Sequence, residues 1–224
     1  MRRTLLLSTV AAASLALLAA CSKTNNQAPA PTPSPTAENT VPESTPAPGT
    51  NSETVSAVQD AVGGAVGTVS AATTTSTQGF VEAAAISDMY EVEAAKIALQ
   101  RSHRDDVKAF AQKMLDAHTA TTHKLQALLA KDHLNVTVPT ALDDRRKGMI
   151  DNLNGASDAD FDGRYIDQQE MAHNEAETLF KTYVDHGENA DLKQFASNTV
   201  PAIDQHLKMA HDLDKADDNQ TPTQ

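Results

Sequence analysis

One cysteine, no tryptophan, five phenylalanines and three tyrosines stand in a chain of 224 residues. The lone thiol, Cys21, excludes an internal disulfide, and with it a zinc knuckle or an iron–sulfur cluster. Basic residues are also scarce: 18 Lys and Arg oppose 30 Asp and Glu, a formal charge of −12. Such a chain lacks the basic face that neutralises phosphates, so nucleic acid is not an expected partner. The longest apolar run, residues 5–20, falls short of the roughly 20 residues a membrane-spanning helix needs. Gly63-Gly64 lacks the strand and lysine of a phosphate loop, and no Ser–His–Asp arrangement stands out. What remains is one domain with appendages.

Arg2-Arg3 and the run Leu5 to Ala20 have the basic head, short apolar middle and small-residue end of a secretory signal. The run closes Leu18-Ala19-Ala20-Cys21, which resembles the bacterial lipobox. The resemblance implies residues 1–20 as a signal peptide, cleavage before Cys21, and lipidation of its sulfur and new amino group. Ser22, rather than Asp, implies sorting to the outer membrane, with the protein facing the periplasm. An ordinary signal peptide ending in a chance cysteine is the competing reading. The only cysteine occupies the one place the motif requires, which favours the anchor, and multiple acyl chains hold durably. The membrane is therefore the expected partner through Cys21, and protein partners are unknown.

Residues 22–56 hold seven of the ten prolines among Thr, Ser, Ala and Asn. Such a stretch buries too little apolar surface to offset its chain entropy. Residues 21–79 are thus expected to be a lipidated cysteine and a disordered tether; extended, residues 28–48 reach roughly 65 Å at 3.1 Å per residue. Within it, residues 57–79 are ambiguous, because Gly63, Gly64 and Gly67 weaken any helix. A frayed or partner-dependent segment is expected there.

From Phe80 the pattern turns to long helical periods with no strand-like alternation. Helices are predicted over 80–101, 103–132, 141–154, 158–186 and 189–215, and residues 217–224 as a disordered tail. Ser102 with Asp105, Thr140 with Asp143 and Ser157 with Asp160 fit capping-box spacing. Gly187 marks a helix end. Pro201 is expected to kink or split the last helix. Four main helices with short first and last turns imply two antiparallel hairpins joined by a long crossover carrying the short helix. The predicted class is all-α, a ferritin-like antiparallel four-helix bundle over residues 80–216.

All eight histidines lie in this region, and a helical wheel separates them. His118 is central in the stripe Val107, Ala111, Met114, Thr121, Leu125, Leu129. His173 is central in Ile166, Gln169, Ala176, Phe180, Val184, and His206 in Phe195, Thr199, Ala202, Met209, Leu213. His123 and His211 point away from their stripes; His103, His133 and His186 sit at helix ends. On the first main helix, Glu91 shares a face with Ala84, Ser87, Ala94 and Ala98, whereas Glu93 lies among Ile86, Met89, Tyr90 and Ile97. Periodicity does not choose between the two acids. Counted from the turns, the candidates agree in axial level to about four residues, or roughly 6 Å.

Three core-facing histidines on three helices with a carboxylate nearby suit a transition metal, Zn, Mn, Fe or Cu. The candidate ligands are Glu91, Glu93, His118, His173 and His206. The alternative is that each histidine makes a structural hydrogen bond, to Glu91, Glu93, Asp162, Gln169 or another helix. No catalytic residue is indicated.

Residues Phe80 to Asp214 resemble the bacterial domain-of-unknown-function family 4142, predicted outer-membrane or periplasmic proteins with a ferritin-like fold. The matching pieces are Glu91-Val92-Glu93, Val107-Lys108-Ala109-Phe110-Ala111 leading to Met114 and His118, Phe161-Asp162 with Tyr165, His173, and Val200-Pro201 with His206-Leu207. The family often has Asp immediately before the histidine of the helix predicted over 103–132, where this chain has Ala117, with Asp116 one earlier. The resemblance implies the bundle and supplies no established activity. A ferritin-like di-iron centre takes a Glu from each of two helices and a Glu-x-x-His from each of the other two. Here Leu115 and Ile203 stand three before His118 and His206, and only Glu170-Met171-Ala172-His173 fits. A ferroxidase or di-iron oxygenase is therefore not expected. The two readings carried forward are a lipid-anchored metal-binding bundle and a structural or envelope-stress interaction protein without metal.

Overall fold

The structure, a computed structural model, describes residues 51–218; Cys21, the expected signal segment, the proline-rich stretch up to residue 50 and the last six residues lie outside them. Among the described residues there are six helices and no strand: α1 (Asn51–Ala71), α2 (Thr77–Arg101), α3 (Asp105–Lys131), α4 (Asp144–Gly155), α5 (Phe161–His186) and α6 (Ala190–Asp218). None is long and apolar enough to cross a membrane.

The three starts expected from capping-box spacing come two or three residues later than that spacing predicts, and of the three only α4 is capped by the side chain of its own N-cap residue. Asp143, not Thr140, caps α4 by accepting from the Arg146 N–H at 2.6 Å. Asp160 takes the N-cap position of α5, and Ser157 Oγ accepts from the Asp160 N–H one turn earlier. Ser102 closes α2 and receives the Arg104 N–H at 3.1 Å, so α3 begins after it. Each acid thus opens its helix instead of sitting inside it. Helix ends are equally local. Gly187 terminates α5 as predicted. At the end of α3, His133 adopts φ 51°, and the N–H of Leu134 reaches back to the Leu129 carbonyl at 3.1 Å. This is the left-handed closing turn that glycine usually supplies. Arg101 donates to the carbonyls of Leu153, Asn154 and Ala156, pinning the end of α4 to the end of α2.

The pairs α2–α3 and α5–α6 pack most extensively, and α2–α5 and α3–α6 contacts join them. α6 runs unbroken through Pro201. Proline removes one N–H and crowds one carbonyl, yet Phe195 and Ala196 before it and Ile203 and His206 after it are all buried. Tertiary packing on both sides holds the helix in one piece. On this helix Ile203 takes the buried place expected of Ala202, which is exposed.

The folded part extends upstream of the expected boundary. α1 lies within residues read as tether, and packs against α5 and α4. Two of its three glycines, Gly64 and Gly67, are the means of approach. A Cβ at Gly64 would meet Met171 Sδ at 3.1 Å, and one at Gly67 would collide with the Glu175 carboxylate. The partner that the glycine-rich segment needs is thus within the chain. Asp60, also on this face, accepts from Gln168 Nε2 at 2.7 Å and Asn152 Nδ2 at 2.8 Å. Gln168 in turn accepts from the Tyr90 hydroxyl at 3.0 Å, so one buried chain of bonds links α1, α5 and α2.

Two apolar clusters fill the interior. One gathers Tyr90, Ala94, Met114, Tyr165, Ala172 and Ala210 with their neighbours. The other gathers Phe80, Ala84, Leu125, Ala176, Phe180 and Ile203 with theirs. His118, His173, His206 and Asp88 fall between these sets along their helices, with Glu91 just beyond Tyr90, and all five are buried. A polar layer therefore divides the core at mid-height.

Candidate metal centre

α3, α5 and α6 each deliver one histidine to the polar layer, since each carries it at the centre of its apolar stripe. The ring centroids of His118, His173 and His206 form a near-equilateral triangle: 5.6 Å, 5.7 Å and 5.4 Å. One nitrogen from each lies within 4.8 Å of the other two. At that upper limit the equidistant point is about 2.8 Å from each nitrogen. Closure by about 0.7 Å reaches the 2.0–2.1 Å of a zinc–imidazole bond.

Hydrogen bonds fix the tautomers. His118 Nδ1 is 2.8 Å from Asp88 Oδ1 and His173 Nδ1 is 2.9 Å from the Gln169 carbonyl. Both partners accept, so each Nδ1 carries a proton; the His173 Nε2 then presents its lone pair, and the His118 Nε2 does so once that ring gives up its second proton. Those two Nε2 atoms, and Nδ1 of His206, are buried without any hydrogen-bond partner. Unpaired buried nitrogen costs on the order of 1–3 kcal/mol per atom. These three atoms come from three helices and belong to rings that each bring a nitrogen within 4.8 Å of the others, which makes the group a candidate ligand set.

Residues 65–213 match the family described as a domain of unknown function, DUF4142. The chain belongs to that family. No curated protein and no solved structure matches it. The matched span starts inside α1 and ends near the close of α6, so the DUF4142 unit takes in the last third of α1 as well as the five helices after it.

The two candidate acids of this DUF4142 chain separate. Glu91 is buried in the polar layer, accepts from Gln169 Nε2 at 2.7 Å, and places Oε1 3.7 Å from His173 Nδ1. It therefore faces the outer nitrogen of His173 and is not among the atoms that converge. Glu93 is exposed and lines a surface groove with Val92, Lys96 and His123. The structure does not bring it to the site: two residues along a helix is a rotation of about 200°. Glu170, the acid of the single Glu-x-x-His match, turns the other way and pairs with His211 Nδ1 at 2.6 Å. His103, His123, His133 and His186 are exposed, away from the layer.

Asp88 is the residue that sequence reasoning passed over. It stands three before Glu91, one turn back on the same small-residue face, which is the signal that was available. Its second oxygen accepts from Thr122 Oγ1 at 3.0 Å, so both oxygens are held while Oδ1 orients His118. A carboxylate behind a ligating imidazole is the usual outer support of a metal-bound histidine.

Electrostatics set the charge states. Burial pulls His118 down, but the bond to Asp88 and the charges of Glu91 and Asp88 outweigh it, and its pKa is raised. His173 is lowered to about 3 by burial and then by the neighbouring His118. His206 is likewise lowered to about 3 by burial, then by His173 and His118. Burial raises both Asp88 and Glu91, against the pull of His118 on each. Near neutral pH, His173 and His206 are neutral and ready to ligate.

Proposed function

We propose that this protein is a lipid-anchored envelope protein whose ferritin-like four-helix bundle holds one divalent transition metal through His118, His173 and His206. The observation that carries the metal reading is the set of three buried, unpartnered imidazole nitrogens within mutual reach. A structural role accounts for the two Nδ1 bonds and leaves three buried ring nitrogens without a partner. Three imidazoles without thiolate favour zinc or copper over manganese, because the affinity of nitrogen sites rises along that series. Glu91 and Asp88 supply negative charge beside the ion, and Asp88 orients His118.

The ferritin-like arrangement is supported by two helix pairs, α2–α3 and α5–α6, joined by a long connection that carries α4. α1 adds a flanking helix. The anchor rests on the lipobox-like Leu18-Ala19-Ala20-Cys21, and Ser22 favours the outer membrane. On this reading the proline-rich stretch holds the bundle off the bilayer in the periplasm. The metal reading is tested by elemental analysis and thermal melting of protein purified without an affinity tag. Near-stoichiometric metal and a rise in Tm with added zinc or copper support it; neither metal nor stabilisation overturns it. The anchor is tested by Cys21→Ser, which releases the protein from membranes if the reading is right.

A further inference from the structure

A cavity of about 30 Å³ adjoins the histidine layer, and His118 and His206 form part of its wall. His173 does not line it. A water needs roughly 10–15 Å³ of such space, so one water fits with room to spare, and a ligand of two or three heavy atoms is within range. The outer edge is framed by Ala117 on α3, half-buried, and Ala202 on α6, exposed. Small residues at both places leave a way in between the two helices.

Besides the histidines, the polar lining is Ser87, Asp88, Thr121 and Thr199; both Asp88 oxygens are held by His118 and Thr122, and the Ser87 hydroxyl can donate as well as accept. Thr121 Oγ1 donates to the Ala117 carbonyl at 3.0 Å, and Thr199 Oγ1 donates to the Phe195 carbonyl at 2.8 Å. With their protons given to their own helices, both hydroxyls are left as acceptors toward the cavity they line. A metal-bound water is the complementary guest, because its lone pair goes to the ion and both protons are free to donate. Three protein ligands plus an exchangeable water is also the coordination of an open zinc site.

We infer that this cavity is the exogenous-ligand pocket of the metal centre, so that the fourth coordination position faces it and carries a water exchangeable for another small Lewis base. The inference rests on the metal reading above. It distinguishes a reactive, open centre from a closed structural ion, since a closed centre needs a fourth protein ligand and no adjoining space.

The test uses the full chain, purified without a tag and loaded with Co²⁺, whose visible spectrum reports its ligands. Sodium azide is the probe. The expected result is a saturable spectral change on adding azide. Ala202→Leu, which narrows the entrance, is expected to retain the cobalt spectrum and weaken azide binding by roughly tenfold or more. If that variant fails to load cobalt, Ala117→Leu narrows the same entrance from the other side. A bound-cobalt spectrum that azide leaves unchanged overturns the pocket while the metal site stands. Wild-type azide affinity in a cobalt-loaded entrance variant overturns it as well. Failure to bind cobalt at all overturns the metal reading and the pocket together.

Discussion

Asp88 and His118 face each other across the α2–α3 interface, Oδ1 to Nδ1 at 2.8 Å, with both side chains buried. The pair fixes which nitrogen of His118 is free. It also connects helix α2, which carries no histidine, to the three that do. Removing the carboxylate while leaving the ring should therefore weaken metal binding without unfolding the chain. Asp88→Ala is expected to lower zinc affinity by roughly 10–100-fold, measured by competition with a chromophoric chelator. Unchanged affinity in a folded variant would show that Asp88 does not support the site.

His206 separates a ligand from a packing residue. Its buried Nδ1 has no hydrogen-bond partner, so in the metal-free protein it costs stability on the order of 1–3 kcal/mol. His206→Leu is expected to leave the metal-free protein as stable as wild type or more so, by about 1 kcal/mol, and to abolish stabilisation by zinc. Urea unfolding with and without zinc checks both halves. A strongly destabilised metal-free variant would place His206 among the structural histidines.

The pH dependence has opposing parts. His173 and His206 have pKa values of about 3 in the folded state against 6.5 as the ordinary value. Depressed values mean that the unfolded chain takes up protons first, so their contribution is fully present above pH 6.5 and is lost as the pH falls toward 3. His118, whose pKa is raised, contributes in the opposite sense: it favours the fold below pH 6.5 and loses that effect as pH rises through its folded value. Asp88 and Glu91, also raised, bind protons in the fold before the unfolded chain does, which favours the fold in acid. The clean readout is a difference between proteins. Metal-free His206→Leu should lose less stability than wild type between pH 6.5 and 3, and parallel curves would contradict the assignment.

Much of the site can be read in the sequence because histidines at the centres of three apolar stripes have nowhere to point but inward. The stripes of α3 and α5 survive in the structure nearly residue for residue. The choice between Glu91 and Glu93 does not, since both sit on a helix with apolar residues on most sides; only packing against α5 buries one and leaves the other in water. Asp88 is hidden for a related reason. Its partner lies on another helix, and the relative register of α2 and α3 is set by contacts that periodicity does not contain. α1 is hidden because glycine lowers helix propensity locally, whereas its value here is close approach to Met171 and Glu175. Pro201 shows the same override, its local cost being met by packing on either side.

Gly67 offers a check on α1. Glu175 there is held by two hydrogen bonds from Arg145, at 2.9 Å and 2.7 Å, and by an ion pair with Arg146 at 3.1 Å. A side chain at position 67 must displace this group. Gly67→Val is expected to cost about 1–3 kcal/mol and to make α1 more susceptible to protease than the other helices. Stability and cleavage like wild type would show that α1 does not depend on this approach.

The most direct measurement of the central claim is calorimetric titration of zinc into the metal-free, tag-free chain, repeated on His118→Ala, His173→Ala and His206→Ala. The account predicts one equivalent bound by the wild-type chain and loss of that stoichiometric binding in each folded variant. Wild-type binding that persists with any of the three histidines removed, or no stoichiometric binding to begin with, would contradict it.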